Sequence, residues 1–199
     1  MIDIKQSMRE ILAAESRAIE SIPVTDGYEK AIQLIVEAKN RGGKLVTSGM
    51  GKCGQIAENI ATTFCSTGVP AVFLHPSEAQ HGDLGILQPA DVMLLLSNSG
   101  KTSEIVALVQ LAKELYPDLR FIVITGNADS PLAQESDICL QTSAAPEVCP
   151  LGLTPTTSTT MMTVMGDVLV VNTMHVTGFT RQQYALRHHG GYLGEKSRR

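Results

Sequence analysis

The sequence predicts an α/β protein in which a five-stranded parallel sheet carries helices on both faces. Short β-branched runs alternate with helical stretches along most of the 199 residues, the pattern of strands joined by crossover helices. Aromatics make up 4% and tryptophan is absent, while 43% of residues are hydrophobic. The core is therefore built from Leu, Ile, Val, Ala and Met, as when helices pack on a buried sheet. The length suits one well-buried core and is short for two domains of ordinary size, so residues 1–199 are expected to form a single domain.

Residues 1–40 read as two helices, with apolar positions at Ile11, Leu12, Ala18 and Ile19 in the first and Ile32, Ile35 and Val36 in the second. Pro23 separates them. Asp26 is placed to cap the second, and Gly42-Gly43 to end it before a first strand, Lys44 to Ser48. The later strands are Ala71 to Leu74, Asp91 to Ser97, Arg120 to Thr125 and Asp137 to Leu140. In such sheets ligands bind beyond the carboxyl ends of the strands, so the residues that follow each strand are where chemistry is sought.

Thr159 to Val176 is helical by composition, yet Met161, Met162, Met165, Val168, Leu169 and Val171 cover most of its circumference. A helix apolar nearly all round must be buried, which in one domain of this size predicts packing against another subunit. The basic end, Lys196, Ser197, Arg198 and Arg199, reads as a solvated, frayed terminus.

Charge excludes some functions. A formal net charge of -4 and a pI near 5.7 give no electrostatic reason to expect nucleic acid as a partner. No apolar run approaches the roughly 18 residues of a membrane span, and Asp3, Lys5, Arg9 and Glu10 interrupt any signal-peptide core. A cytoplasmic protein without a membrane partner is expected. Cys53, Cys65, Cys139 and Cys149 form no C-x-x-C pair or zinc-like spacing, and read as reduced, mostly buried thiols.

After the first strand, Gly49-Met50-Gly51-Lys52-Cys53-Gly54 fits G-x-G-x-x-G. A dinucleotide site also needs an acid closing the second strand, and that strand ends Phe73-Leu74-His75-Pro76. No nicotinamide or flavin cofactor is expected. The glycines still imply a close backbone approach, and Lys52 stands where it meets an anion.

The third strand runs into Ser97-Asn98-Ser99-Gly100-Lys101-Thr102-Ser103-Glu104, and Ile105, Leu108, Leu111 and Ala112 continue at helical spacing. Such a helix start offers unpaired N–H groups and partial positive charge, while Ser97, Ser99 and Thr102 add donors suited to phosphate. An ordinary cap needs only one hydroxyl.

The Ser97-to-Glu104 run resembles the phosphate loop of SIS domains, sugar isomerase modules that bind phosphosugars on a three-layer, flavodoxin-like fold. Three further blocks are more restrictive: Gly49 to Lys52; His75-Pro76 through His81-Gly82-Asp83-Leu84-Gly85; and Cys149-Pro150-Leu151-Gly152-Leu153 followed by Thr154 to Thr160. Together they resemble arabinose-5-phosphate isomerases over residues 40 to 195. Many members of that family carry paired CBS domains after the SIS domain, and this sequence stops before them. The resemblance thus implies a short form, with N-terminal helices over 1–40 and the sheet core with its active-site loops over 41–195.

An aldose–ketose isomerase opens the sugar ring, moves a proton between C1 and C2 and stabilises an enediolate, so it needs a base, an acid and a cation or donor near the oxygens. The resemblance implies these roles for Lys52, His81, Glu104, Glu147 and His188, with substrate or phosphate contacts at Ser48, Gly49, Gly51, Ser97, Asn98, Ser99, Thr102, Thr157 and Ser158. Glu147 is the favoured enediol base, and Glu104 is the alternative. His81 and His188 are the candidates for ring opening. Where the family commonly has His-Pro-Gly-Gly, this chain has His188-His189-Gly190-Gly191, so either histidine is open as the acting one. Lys101 stands where many SIS loops have glutamate, which favours an anionic ligand. Proton transfer by side chains requires no metal, and none is expected.

His188 lies far along the chain, beyond the apolar helix, which points to a neighbouring subunit's site. The resemblance implies a homotetramer with shared active sites. It also implies supply of arabinose 5-phosphate for Kdo, the eight-carbon acid of lipopolysaccharide and some capsules, with Kdo-derived products as feedback ligands of the same cleft. The alternatives are a non-catalytic phosphosugar sensor on the same fold, or an isomerase of another sugar phosphate such as hexulose 6-phosphate.

Overall fold

Residues 2–198 are described by a computed structural model, and Met1 and Arg199 lie outside them. In chain order the elements are α1 (Ile4–Glu20), α2 (Gly27–Asn40), β1 (Leu45–Gly49), α3 (Gly51–Ser66), β2 (Ala71–Phe73) and α4 (Pro76–Ala79). A 3₁₀ turn over Asp83–Ile86 precedes β3 (Val92–Leu96), α5 (Ser103–Leu115), β4 (Arg120–Thr125), α6 (Pro131–Gln134) and β5 (Ile138–Gln141). The chain closes with α7 (Thr157–Thr177), α8 (Arg181–Ala185) and α9 (Gly191–Ser197). Each strand lies within one residue of the bounds its sequence predicts.

All strand pairs are parallel, in the order β2-β1-β3-β4-β5. β1 pairs with β3 along its whole length, from Leu45 opposite Val92 to Gly49 opposite Leu96. The chain moves outward from β1 to β2 and then returns across to β3. The carboxyl ends of β1 and β3 therefore flank the switch point where such sheets bind ligands.

Alternation along the strands separates two cores. Leu45, Leu94, Leu96, Ile122, Ile124 and Leu140 face α2, α3 and α7. Val46, Met93, Leu95, Phe121 and Val123 face α4, α5 and α6. β1 and β3 are buried at every residue, which explains the unbroken apolar run of β3 and leaves Thr47 and Ser48 of β1 bonded to carbonyls inside the fold. The result is the predicted three-layer arrangement, with α1 laid across α7 outside it.

Several expectations need correction. Asp26 occupies the start of α2 but has helical backbone angles and its side chain accepts no capping bond. α1 buries Ala18 while Ile11 and Leu12 point to solvent. α7 is not enclosed on every side within one chain: Met161, Met162, Met165 and Leu169 are buried, whereas Val171 and Val176 remain 48% and 64% exposed. The basic end is helical rather than frayed through Ser197, because the Arg181 guanidinium binds the Lys196 and Ser197 carbonyls; Arg199 is outside the described residues. All four cysteines are free thiols, but Cys65 is exposed and the other three are only partly covered. Among the described residues no helix is long and apolar enough to cross a membrane.

Candidate active site

The loop from β3 into α5 is held from beneath. Ser97 is buried, its hydroxyl lies 2.9 Å from that of Thr102, and it accepts the Gly100 N–H at 3.1 Å. Ser99 accepts the Lys101 N–H at 3.2 Å, while the Asn98 carbonyl takes N–H and O–H bonds from Gly126 and Thr125 of the neighbouring strand end. Gly100 has φ +63, and a Cβ there would meet the Ser130 Oγ at 2.0 Å. The loop thus curls tightly over Ser130 and presents Asn98, Ser99 and Lys101 to solvent at the amino end of α5. Thr102 starts that helix without a side-chain cap of its own. Oriented hydroxyls, a helix start and a lysine are the groups with which an anion can be held.

Gly49 and Gly54 explain the glycine fingerprint without a dinucleotide. A Cβ on Gly54 would come within 2.7 Å of the Gly49 carbonyl oxygen, and one on Gly49 within 2.8 Å of Cys53 backbone. The glycines let α3 pack tightly onto the end of β1. Gly51 is exposed with φ +56, and Lys52 follows it in the first turn of α3, exposed and 3.4 Å from Gln55. A polar cleft of about 220 Å³ lies beside Lys52, walled by Thr159, Thr160 and Thr163 of α7.

Ser48 departs from its expected role. It is fully buried and its hydroxyl donates to the Leu74 carbonyl at 2.6 Å, so it ties β1 to the end of β2 instead of presenting a donor to a ligand.

Glu147 is gripped by the start of α7. Its Oε2 accepts the Thr156 N–H at 2.7 Å, the Thr156 hydroxyl at 2.8 Å and the Ser158 N–H at 3.3 Å, and its Oε1 accepts the Ser158 hydroxyl. Burial pushes this carboxyl up, but the donors outweigh it, the Ser158 hydroxyl foremost, and hold it below the ordinary carboxylate value. Glu147 is therefore ionised and pinned, where a solvated loop carboxylate would be free. Ser158 is spent on Glu147, and Thr157, almost fully buried, donates to Glu15 Oε1 while accepting the Val148 N–H, both at 3.2 Å. These two hydroxyls form the floor under Glu147; their expected direct contact with substrate is corrected accordingly.

Glu104 sits in the first turn of α5, lowered below the ordinary carboxylate value by its own backbone N–H and then by the Ser103 hydroxyl at 2.9 Å. His81 is exposed in the turn after α4, its N–H bonded to the Glu78 carbonyl at 2.9 Å. Lys52, His81, Glu104 and Glu147 all follow carboxyl ends of strands.

His188 does not join them. α7 starts beside Lys52 and runs 21 residues, about 30 Å, toward the amino ends of the strands. There Phe179 packs against Gly68, in the turn between α3 and β2, and Arg187 lies over the Phe179 ring at 5.5 Å. His188 stacks on Tyr184 at 3.7 Å beyond that point, and His189 beside it is exposed. The loop from β3 into α5 of its own chain is at the other end of the sheet.

Some contributors escaped the sequence reading. Ser130 caps α6 and supports Gly100; the Ser-Pro pair at a helix start was the available signal. The Cys149 thiol is lowered to about 6 by Thr154, through its side chain first and then its N–H, with the Leu153 and Leu151 N–H groups adding to it. Among the described residues no three His, Cys, Asp or Glu side chains gather as a metal site.

Residues 39–172 match the family model for the SIS domain. The arabinose 5-phosphate isomerase KdsD of Escherichia coli K12 is 44% identical over 98% of this chain, which spans 58% of that enzyme's length. A Bacteroides fragilis structure, described as a candidate phosphosugar isomerase involved in capsule formation, is 68% identical with a TM-score of 0.94, covering 96% of this chain and 100% of its own. The c3406 protein of Escherichia coli CFT073, solved in complex with arabinose 5-phosphate, is 36% identical with a TM-score of 0.83, covering 93% of this chain and 95% of its own.

Proposed function

The chain belongs to the SIS domain family, and from that premise we propose that it interconverts D-arabinose 5-phosphate and D-ribulose 5-phosphate. The observation that carries the proposal is the gathering of an anion loop, a lysine and a pinned, ionised glutamate behind the carboxyl ends of β1, β3 and β5. Relatives named arabinose 5-phosphate isomerase, and a related structure solved with arabinose 5-phosphate bound, support this choice of pentose.

In the proposed reaction the substrate phosphate rests on Ser97, Asn98, Ser99 and Thr102 with the amino end of α5. Glu147 removes the C2 proton of the open aldose and returns it to C1 of the enediolate, while the hydroxyl proton passes from O2 to O1, giving the ketose. A carboxylate has about four acceptor positions. Oε2 already takes three donors and Oε1 one, so Oε1 is the oxygen left to receive the proton. Lys52 and nearby N–H groups offset enediolate charge, and His81 moves the proton between ring oxygen and anomeric hydroxyl during opening. Glu104 orients the loop lip.

His188 is assigned to the site of a neighbouring subunit in a homotetramer, because its own chain holds it at the far end of α7. The exposed Val171 and Val176 give that helix an apolar surface for another subunit to cover. We place the enzyme in the cytoplasm, supplying arabinose 5-phosphate for Kdo of lipopolysaccharide or capsule, with Kdo-derived anions able to compete for the anion loop.

One observation favours a rival: Glu147 also serves as a helix cap, which a phosphosugar sensor would need equally. Conversion of ribulose 5-phosphate by purified protein in chelator decides between them. Fructose 6-phosphate and hexulose 6-phosphate are run beside it, with Glu147→Gln as control. Arabinose 5-phosphate formed by the wild type and lost in the variant supports the isomerase; tight phosphosugar binding without turnover assigns a sensor.

A further inference from the structure

We infer that Glu15, on α1, is a positioning residue for Glu147, acting through the hydroxyl of Thr157. The inference rests on Glu147 as the base. The two glutamates are brought together by folding alone, since Glu15 and Thr157 lie 142 residues apart.

The connection is a chain of directed bonds. Thr157 has one hydroxyl proton and gives it to Glu15 Oε1. Its oxygen is then turned to accept the Val148 N–H, which fixes the peptide directly after Glu147. On the other side of Glu147, its carboxylate is held by Thr156 and Ser158. The Thr156 hydroxyl shares the Val148 N–H at 3.2 Å but is itself committed to Glu147, so Thr157 is the rotor on that N–H that answers to α1, and Glu15 sets it.

Packing does little to hold that segment against α1. An open groove of about 650 Å³ lies between them, with Ala14, Arg17 and Ala18 on one wall and Pro146, Glu147 and Val148 on the other. Side chains on facing walls of a groove this wide make no direct contact across it. The polar links at its edge therefore matter more: Thr157 to Glu15, and the longer bond from the Ser143 hydroxyl to the Ala18 carbonyl at 3.5 Å. Glu15 Oε2 is buried without a partner. Burying that oxygen unpaired costs stability, so the bond made by the other oxygen is the one that holds Glu15 in place.

Losing the acceptor also redirects a proton. Without Glu15, the Thr157 hydroxyl is free to turn away from Val148, which leaves that N–H to Thr156 alone and loosens the segment against α1. A misplaced base slows proton abstraction while leaving phosphate binding alone.

The test compares Glu15→Ala, Glu15→Gln and Thr157→Val in the full chain, with kcat and KM for ribulose 5-phosphate and hydrogen exchange of the peptide containing Val148. Glu15→Ala is expected to lower kcat about tenfold with KM within about twofold, the size of a misaligned reacting group. Glu15→Gln keeps an acceptor oxygen at the same reach and restores most of the rate. Thr157→Val matches Glu15→Ala, and the double variant is no slower than either single one. Faster exchange at Val148 accompanies both losses, with unchanged circular dichroism.

Unchanged kcat in Glu15→Ala, or multiplied losses in the double variant, overturns the inference. So does a glutamine variant no better than alanine. If the wild type turns over no substrate, the isomerase reading has failed instead, and exchange at Val148 alone decides: protection equal in wild type and Glu15→Ala rejects the link.

Discussion

Glu147 and Ser158 hold each other across eleven residues of chain: the Ser158 hydroxyl donates to Glu147 Oε1 and its N–H to Oε2. The pair joins the segment after β5 to the first turn of α7. It stabilises the carboxylate, and the same stabilisation makes it a weaker base. Ser158→Ala therefore changes two properties in opposite directions. The Glu147 carboxyl rises toward the ordinary value, so the acid limb of the kcat profile moves to higher pH, while lost alignment lowers the plateau about tenfold. A pH–rate profile with an unmoved acid limb would separate Ser158 from the base.

The same depressed carboxyl makes a prediction for stability. Its folded value lies below the unfolded one, so its contribution is present above the unfolded value and is lost as pH falls through the folded one. Glu147→Gln removes that contribution and flattens the dependence of unfolding on pH within the acid range only. Denaturant midpoints measured at neutral pH and at pH values below the carboxylate range check it.

Gly100→Ala forces the phosphate loop off Ser130. The substitution adds a Cβ at φ +63, where a non-glycine residue costs about 1–3 kcal/mol, and the Ser130 Oγ already occupies the space. The loop must open, so KM for the sugar phosphate rises about tenfold or more while the Glu147 segment is untouched. Adding Ser130→Gly relieves the collision but not the backbone strain, and recovers part of the affinity. Equal KM in Gly100→Ala and wild type would show that the curl over Ser130 is irrelevant to binding.

The sheet was legible because its signals are local. β-rich apolar runs give β1 through β5 within a residue, and the hydroxyl-rich run gives the loop into α5. Periodicity also located α1, but not which face it turns inward, because α1 packs on α7 and not on the sheet. Ser48 and Ser158 show the limit at the site. Both belong to motifs that resemble ligand contacts, yet Ser48 bonds to Leu74 and Ser158 to Glu147. Which partner a serine finds is set by tertiary geometry that spacing does not encode. Glu15 was invisible for the same reason, and His188 was readable only as distant from the loop.

Cys149 is expected to react ahead of Cys53 and Cys139. Thr154 and the N–H groups of its loop lower it to about 6, whereas burial raises Cys53 and Cys139. At pH 7 Cys149 is largely thiolate, the form that attacks electrophiles. Iodoacetamide at pH 7 is expected to label Cys149 well ahead of Cys53 and Cys139, with a rate that climbs through pH 6. Thr154→Val removes the leading donor and moves that climb upward. Mass spectrometry of the labelled peptides gives the order directly, and an equal rate for Cys53 contradicts it.

Subunit exchange tests the shared site. If Glu147 and His188 act from different chains, Glu147→Gln and His188→Ala proteins are each inactive but complement each other when mixed. In random one-to-one assembly a site needs an intact Glu147 from one chain and an intact His188 from its neighbour. Each has an even chance, so about a quarter of sites recover. If both residues act from one chain, no mixed assembly contains an intact pair and activity stays at zero. The variants are denatured together and refolded, and sedimentation establishes that assembly has returned. A parallel mixture with His189→Ala identifies which histidine supplies the function: the one whose loss abolishes activity alone and is rescued by Glu147→Gln chains. Recovery through His188 follows from its position past the far end of α7, which leaves a neighbouring chain as its route to Glu147.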